Sequence, residues 1–325
     1  MKIKLMKTLS LGAFGLSLCM SAAQAQVVTI ATGAQGSLAY NSGQAVAKVA
    51  NQAGITARTQ PLVGYLPLIN AGEVDFGFSN GVEAAFAMTG TGNYTRKNPN
   101  IRLVGVMFPL TTGLMAPCDL GIKTVADLKA KAGTLRIASE YKSSTIIPFY
   151  IMGALANGGM KYDDFKRVPV ASFVAGIKAL GDGLVDVALV SLNSGAGKQS
   201  AVKLKSRGGL CYISMDKSDA GVAAFKKFLP AGSIVSIKQN PNINGMQKGG
   251  ASIARIPWMM LTNAKQSEDL VYKITKAIAE GKDALKKSFG AFGRAKREKM
   301  APTNQVPYHP GALKYYKEAG IKVNQ

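Results

Sequence analysis

The regular exchange of strand and helix patterns constrains the fold of this chain most. The apolar run at residues 27–32 is typical of a buried strand, and a helical segment follows it to about residue 52. Further strands predicted at 55–60 and 74–78 flank a short helix at 66–71. Alternation of this kind predicts an α/β fold, with a parallel sheet covered by helices.

The alternation starts again after an irregular crossing predicted at residues 109–118. No low-complexity linker flanks the second α/β unit, so we predict two lobes joined by two short crossings. The boundaries place lobe 1 at 26–112 and 215–325, and lobe 2 at 113–214. Residues 230–250 are rich in Gly, Pro and Asn and predict a loop with at most one short strand. The C-terminal tail should pack back on lobe 1.

The N-terminus predicts export to the periplasm. Lys2, Lys4 and Lys7 precede an apolar stretch at 9–20, and Ala23 and Ala25 form a small-residue cleavage pattern. We interpret residues 1–25 as a cleaved signal peptide, because the apolar stretch is shorter than the ~20 residues that span a bilayer. The alternative is a membrane anchor. About 300 residues remain, enough for two domains.

The net charge limits the classes of partner that we expect, and the cysteines bear on the compartment. The net charge is +22, but the basic residues are scattered and show no aromatic-interleaved cluster, which disfavours nucleic acid binding. An anionic ligand, an anionic membrane surface or simply a basic protein surface remain as explanations. Cys118 and Cys211 follow the signal segment; they can form a disulfide in an oxidising compartment or remain free thiols.

The residues offer no catalytic constellation. The single histidine, His309, precedes Pro310 at a predicted helix start, which indicates a structural role. The chain has no Gly-x-Ser-x-Gly motif and no Cys/His/Asp cluster with metal-ligand spacing. We therefore predict a protein that is not an enzyme and uses neither cofactor nor metal.

Small polar residues follow several predicted strands. Gly33 to Ser37 lie between the first strand and its helix, where backbone N–H groups form a natural site for a carboxylate or phosphate. Ligands of open α/β sheets bind outside the carboxyl ends of the strands. Glu83 can neutralise a ligand amine or start a helix, and we favour the helix. Lys142 can pair with a ligand carboxylate or be solvated.

We predict a ligand-binding site from the repetition of such strand ends, with aromatic residues as its apolar walls. The predicted ligand-binding residues are Gly36, Ser37, Tyr40, Gly64, Tyr65, Ser79 and Asn80 in lobe 1, and Ser143, Ser144, Thr145, Phe173 and Asn193 in lobe 2.

Four stretches of the chain carry a resemblance to a known family. They read NAGEVDFG at 70–77, IKTVADLK at 122–129, EDLVYKITK at 268–276 and VPYHPGALKYYKEAG at 306–320. The last is similar to a closing signature P-x-H-P-G-A-x-x-Y-Y-x-E-x-G. On these motifs, the chain resembles TAXI-type solute receptors, the substrate-binding components of one branch of TRAP transporters.

This resemblance implies a periplasmic binding protein of type II, with two lobes around a cleft and TRAP membrane subunits as partners. In the family's first-loop pattern, G-G-x-G-G-x-Y-Y-P, Gly33, Gly36 and Tyr40 match, whereas Ser37 and Asn41 differ. These departures leave the solute open between an organic anion and an amino acid.

We expect a monomer that closes its lobes on a small molecule. Three alternatives remain: a receptor of the same fold for another transporter, a receptor for a sensor kinase, and an exported enzyme that uses the cleft.

Overall fold

A computed structural model describes residues 27–33, 35–192, 194–240 and 243–323. The predicted signal segment and Asn193 lie outside these residues. Within them, no helix combines the length and the apolar character needed to cross a membrane.

Ten strands and eleven α-helices make up the described fold, which is α/β as predicted. The strands are β1 Val28–Thr32, β2 Ala57–Pro61, β3 Phe76–Asn80, β4 Ile101–Pro117, β5 Arg136–Ser139, β6 Lys166–Pro169, β7 Ala188–Ser191, β8 Leu210–Tyr212, β9 Ser233–Ile237 and β10 Ala251–Asn263. The helices are α1 Leu38–Gln52, α2 Leu66–Ala71, α3 Gly81–Thr89, α4 Val125–Lys131, α5 Ile147–Asn157, α6 Phe173–Gly181, α7 Gly195–Lys203, α8 Asp219–Lys226, α9 Glu268–Glu280, α10 Lys282–Ser288 and α11 Pro310–Glu318.

The first lobe is built on one end of a mixed sheet. Its strands follow the order β2-β1-β3-β10-β4; β1 is parallel to β2 and β3, and β10 is antiparallel to its neighbours. Helices α1, α9 and α11 bury apolar faces against this sheet. Trp258 packs in this core, where its indole N–H donates to Ser42 Oγ at 3.0 Å and its ring stacks near Phe78.

The C-terminal tail packs on the first lobe, as the sequence predicts. Val306, Tyr308 and Tyr316 belong to the same apolar core as β1 and β3. His309 is 1% exposed and caps α11, with its Nδ1 accepting from the backbone N–H of Gly311 at 3.1 Å. Its role is therefore structural.

Two long strands connect the lobes. The irregular crossing predicted at 109–118 was wrong, because β4 continues as a strand to Pro117 by pairing with β10, β7 and β8. Pro109 of β4 stands directly opposite Pro257 of β10. Since proline has no backbone N–H, the strand pair loses ladder hydrogen bonds at this point. We refer to Pro109 and Pro257 as the proposed hinge.

The second lobe surrounds the other end of the sheet. Strands β7 and β8 pair with β4, while β5 and β6 form a short parallel pair that a bridge from Ile137 to Val187 links to the region before β7. A disulfide joins Cys118 to Cys211 across the 93 residues that separate them.

The predicted return to lobe 1 at residue 215 lies too early. Phe225, Leu229, Met246 and Ile256 pack in the core of the second lobe, together with residues of α5. The crossing occurs inside β10, because its first half pairs with β9 and its second half with β3. Helix α8, an amphipathic segment that follows Ser218 as N-cap, was not predicted.

Candidate functional site

The turn after β1 is shaped as a helix cap. Gly36 has φ +80°, a conformation that favours glycine, and Ser37 Oγ accepts from the backbone N–H of Tyr40 at 3.1 Å. A Cβ at Gly33 would lie 2.9 Å from Ser37 Oγ, so a small residue is needed there. The backbone N–H groups at this start of α1 suit an anionic group.

The turn after β2 presents a tyrosine. Gly64 is exposed with φ +66°, and Tyr65 is half-buried. The Tyr65 hydroxyl donates to the carbonyl of Phe78 in β3, so the ring is held against the neighbouring strand end. Burial raises the pKa of this hydroxyl, which keeps it protonated.

The end of β3 holds a carboxylate among neutral polar groups. Asn80 caps α3 by accepting the backbone N–H of Glu83 at 2.9 Å. Glu83 Oε2 accepts from Ser79 Oγ at 3.3 Å and Asn80 Nδ2 at 3.2 Å, and Glu83 Oε1 accepts from the Tyr94 hydroxyl at 3.3 Å. Burial raises the pKa of Glu83, while the hydrogen bonds from Tyr94, Ser79, Asn93 and Asn80 oppose the rise.

In the second lobe, the loop at 143–145 lies across the lobe boundary from Glu83. Hydrogen bonds to the backbone of Ala171 and Phe173 hold this loop in place. Ser143 Oγ donates to the carbonyl of Ala171 at 3.0 Å, and Ser144 Oγ accepts from the backbone N–H of Phe173 at 3.3 Å. Ser143 and Thr145 are exposed, as is Lys142. This loop therefore offers neutral hydroxyl groups on a braced turn.

Contacts across the lobe boundary join these two regions. Asn93 Nδ2 donates to Thr145 Oγ1 at 3.0 Å, and the rings of Phe86 and Phe149 meet edge to face with centroids 5.2 Å apart. Val82 of α3 packs in the second lobe's core.

Tyr150 adds a polar group from the second lobe. Its side chain is 3% exposed, and its hydroxyl has no hydrogen-bond partner among the described residues. Burial raises the pKa of Tyr150, and the negative charge of Glu83 adds to the rise.

The structure brings together only part of the predicted site. Ser79 and Asn80 meet around Glu83, whose charge also raises the pKa of Tyr65, and Thr145 reaches the same region through Asn93. The hydrogen bonds of Ser37, Ser143 and Ser144 are made within their own lobes.

Sequence reasoning missed Asn93, Tyr94 and Tyr150, which lie outside the strand-end turns. Glu83 was interpreted as a helix start, and it does occupy the third position of α3. The pattern Asn80-x-x-Glu83 also fits a capping box, in which the glutamate bonds the N-cap backbone. Its carboxylate instead accepts from side chains.

The described residues contain no group of three or more His, Cys, Asp or Glu placed to hold a metal.

Solved structures of solute-binding proteins share this fold. MatC from Rhodopseudomonas palustris with bound malate matches at TM-score 0.54 and 12% identity, covering 82% of this chain and 88% of that one. The periplasmic binding protein BugD matches at 0.54 and 13%, covering 92% and 99%. A TctC solute-binding protein from Polaromonas, without ligand, matches at 0.52 and 12%, covering 83% and 89%. At such identities, the likeness establishes the two-lobed α/β fold alone.

Family membership rests on a separate comparison of the sequence. The match extends over residues 30–320, which includes both lobes, the two connecting strands and the C-terminal helix. This chain belongs to the NMT1-like family.

Proposed function

We propose that this protein is the periplasmic solute receptor of a TRAP transporter of the TAXI type. It captures a small, carboxylate-bearing metabolite by closing its two lobes and delivers it to the membrane subunits. The single observation that carries this proposal is the pair of connecting strands, β4 and β10, which run between two separate cores with Pro109 and Pro257 opposite each other.

The turns that border the lobe boundary support capture of a small solute. The helix start at Ser37 offers backbone N–H groups to a carboxylate, and the turn around Ser144 offers hydroxyl groups from the other lobe. A closed form that engages both lobes gains contacts that the open form lacks, so a solute shifts the equilibrium toward closure.

The fold and family also support a receptor over a catalyst. Two of the matched solved structures, the TctC protein and BugD, are described as binding proteins, and MatC holds bound malate. The motifs at 122–129, 268–276 and 306–320 support the TAXI assignment, with export as the route to the periplasm.

Native mass spectrometry of the freshly purified protein tests this function. We expect one co-purified organic acid, whose binding is then measured by calorimetry, and uptake of that solute into proteoliposomes that contain the TRAP membrane subunits. Sustained conversion of the solute to product would contradict the proposal.

A matched pair of cap variants tests the first loop. Ser37→Ala should weaken binding of the identified solute by about 1–3 kcal/mol, provided that the α1 start pairs with it. Ser267 caps α9 on the same lobe in the same way, with its Oγ accepting from Leu270 at 3.4 Å, and is exposed. Ser267→Ala should leave binding unchanged. Equal affinities for both variants would remove Ser37 from the site.

A further inference from the structure

Glu83 is a carboxylate without a cationic partner. It is half-buried, and the side chains that bond it, those of Ser79, Asn80 and Tyr94, are neutral donors. In the described part of the chain, every ion pair uses a different carboxylate. A desolvated carboxylate held in this way lacks the charge compensation that buried ions normally have.

The composition makes this arrangement unusual. The chain has 40 lysines and arginines against 18 aspartates and glutamates, so cations are plentiful partners for any carboxylate. Asp186, for comparison, is bound by the guanidinium of Arg136 with N–O contacts of 2.8 and 3.0 Å. Among the described residues, no lysine or arginine forms an ion pair with Glu83.

Two buried polar atoms near α3 also lack partners in the part of the chain that the structure describes. One is Asn93 Oδ1, which can only accept a hydrogen bond; its amide donates to Thr145 and contributes to the hydrogen bonding of Glu83. The other is the hydroxyl of Tyr150, on a side chain that is 3% exposed in α5, a helix that contacts α3 through Phe149 and Phe86. A buried atom left unpaired costs free energy. The amide oxygen of Asn93 therefore indicates a missing donor, and the Tyr150 hydroxyl can accept from a donor as well as donate.

We propose that Glu83, Asn93 Oδ1 and the Tyr150 hydroxyl bind a cationic nitrogen of the solute, and that this nitrogen is a primary ammonium. The inference rests on the proposed receptor function and makes the solute an amino-acid-like zwitterion, not a simple carboxylate.

The donor and acceptor count fits this chemistry. A primary ammonium carries three N–H donors, and the site offers three acceptors: the Glu83 carboxylate, the amide oxygen of Asn93 and the oxygen of Tyr150. A quaternary ammonium has no N–H and would leave the last two atoms unpaired. Because Asn93 lies on the first lobe and Tyr150 on the second, the ammonium would also bridge the closed lobes.

Pairs of compounds that differ only in the amino group test the inference. The probes are L-aspartate with succinate, L-glutamate with glutarate, and L-leucine with 4-methylpentanoate. Each is titrated into the full chain by calorimetry at pH 7, after removal of any co-purified solute. We expect at least one amino acid to bind, about 30-fold or more tightly than its counterpart without the amino group.

Variants identify the group that recognises the ammonium. Glu83→Gln should weaken binding of the amino acid by about 30-fold, because the charge-assisted contact is lost. Binding of the counterpart without the amino group should stay unchanged. Tyr150→Phe should weaken binding of the amino acid about fivefold. Glu73→Gln removes an exposed carboxylate on the same lobe and is the matched control, with no change expected.

Circular dichroism confirms that each variant is folded. Binding of the compounds without an amino group as tightly as the matching amino acids would overturn the inference and leave the receptor function standing. Failure of every compound to bind the wild-type chain would count against both. Amino acid binding that Glu83→Gln does not weaken would show that the ammonium lies elsewhere, and would also overturn the inference.

Discussion

The two walls of the lobe boundary differ in charge and in how they are held. On the first lobe, Glu83 and its neutral donors form a half-buried network at the start of α3. On the second lobe, Ser143 and Ser144 are tied to the turn before α6 and carry no charge. This difference supports the proposal that the first lobe recognises a charged group, while Ser143 and Ser144 supply hydroxyl groups from a braced turn of the second lobe.

The lobes also differ in how the chain is cross-linked and arranged within each of them. The second lobe contains the disulfide Cys118–Cys211, whereas the first is assembled from two distant parts of the chain. Four predictions follow from these contrasts, in order of decreasing effect.

Removing the disulfide should destabilise the second lobe. Cys118→Ala with Cys211→Ala should cost about 4 kcal/mol, because a loop of 93 residues is no longer closed in the unfolded chain. Trp258, the one tryptophan of the sequence, packs in the first lobe and reports that lobe by fluorescence. In urea, the circular dichroism transition of the variant should precede the fluorescence transition. Coincident transitions would argue against two separately stable cores.

Gly81→Ala should disturb the hinge. A Cβ at Gly81 would lie 2.6 Å from Cγ of Pro257, a ring atom of the hinge that cannot move aside freely. We expect a loss of about 1–3 kcal/mol from overpacking, measured by urea unfolding. Gly133→Ala, where the added carbon would meet open space, is the control. Equal stabilities for the two variants would contradict the close packing of α3 against the hinge.

Glu83→Gln should stabilise the protein without ligand. Burial raises the pKa of Glu83 in the folded state, so its contribution to stability is largest at acidic pH and is lost as the pH rises through the raised value. The glutamine keeps an acceptor for Ser79 and Asn80 and can donate to Tyr94. We expect a gain of about 0.5–2 kcal/mol at pH 7.

The pH dependence of that gain is the check. Thermal unfolding from pH 7 to pH 4 should show that the stability difference between Glu83→Gln and the wild type shrinks as Glu83 becomes protonated in the wild type. Tyr65, Tyr94 and Tyr150 face Glu83, and their raised pKa values keep them neutral over this range. A pH-independent difference, or a variant less stable at pH 7, would show that the charge is compensated.

We expect the smallest effect on stability from the contact between Asn93 and Thr145 across the lobe boundary. Thr145→Val removes the acceptor for Asn93 at an exposed position and should cost about 0.5 kcal/mol. Thr145→Ser keeps the hydroxyl and should match the wild type. Thermal unfolding measures both, and a large loss in the serine variant would point to the methyl group instead.

The sequence predicted the α/β class and the strand-end turns because local periodicity and capping residues encode them. It failed where pairing is non-local: residues 109–117 look irregular because of two prolines, yet three partner strands extend them. It also placed 215–256 in the wrong lobe, since a long strand such as β10 can change lobes without any local break.

Part of the site was beyond local patterns for the same reason. Ser79, Asn80 and Thr145 lie at or just beyond strand ends and were predicted to bind ligand. Asn93 and Tyr150 reach the Glu83 region through tertiary packing of a loop and a helix, and no spacing in the sequence connects them.

The distance between the lobes tests the central claim most directly. Spin labels at Lys48→Cys on α1 and Val202→Cys on α7 occupy exposed positions on opposite lobes. Double electron–electron resonance measures the distance between the two labels. We expect a broad distance distribution in the free protein, and a narrow one centred on a shorter distance with the solute that native mass spectrometry identifies. One distribution, unchanged by saturating solute, would contradict a receptor that closes on its ligand.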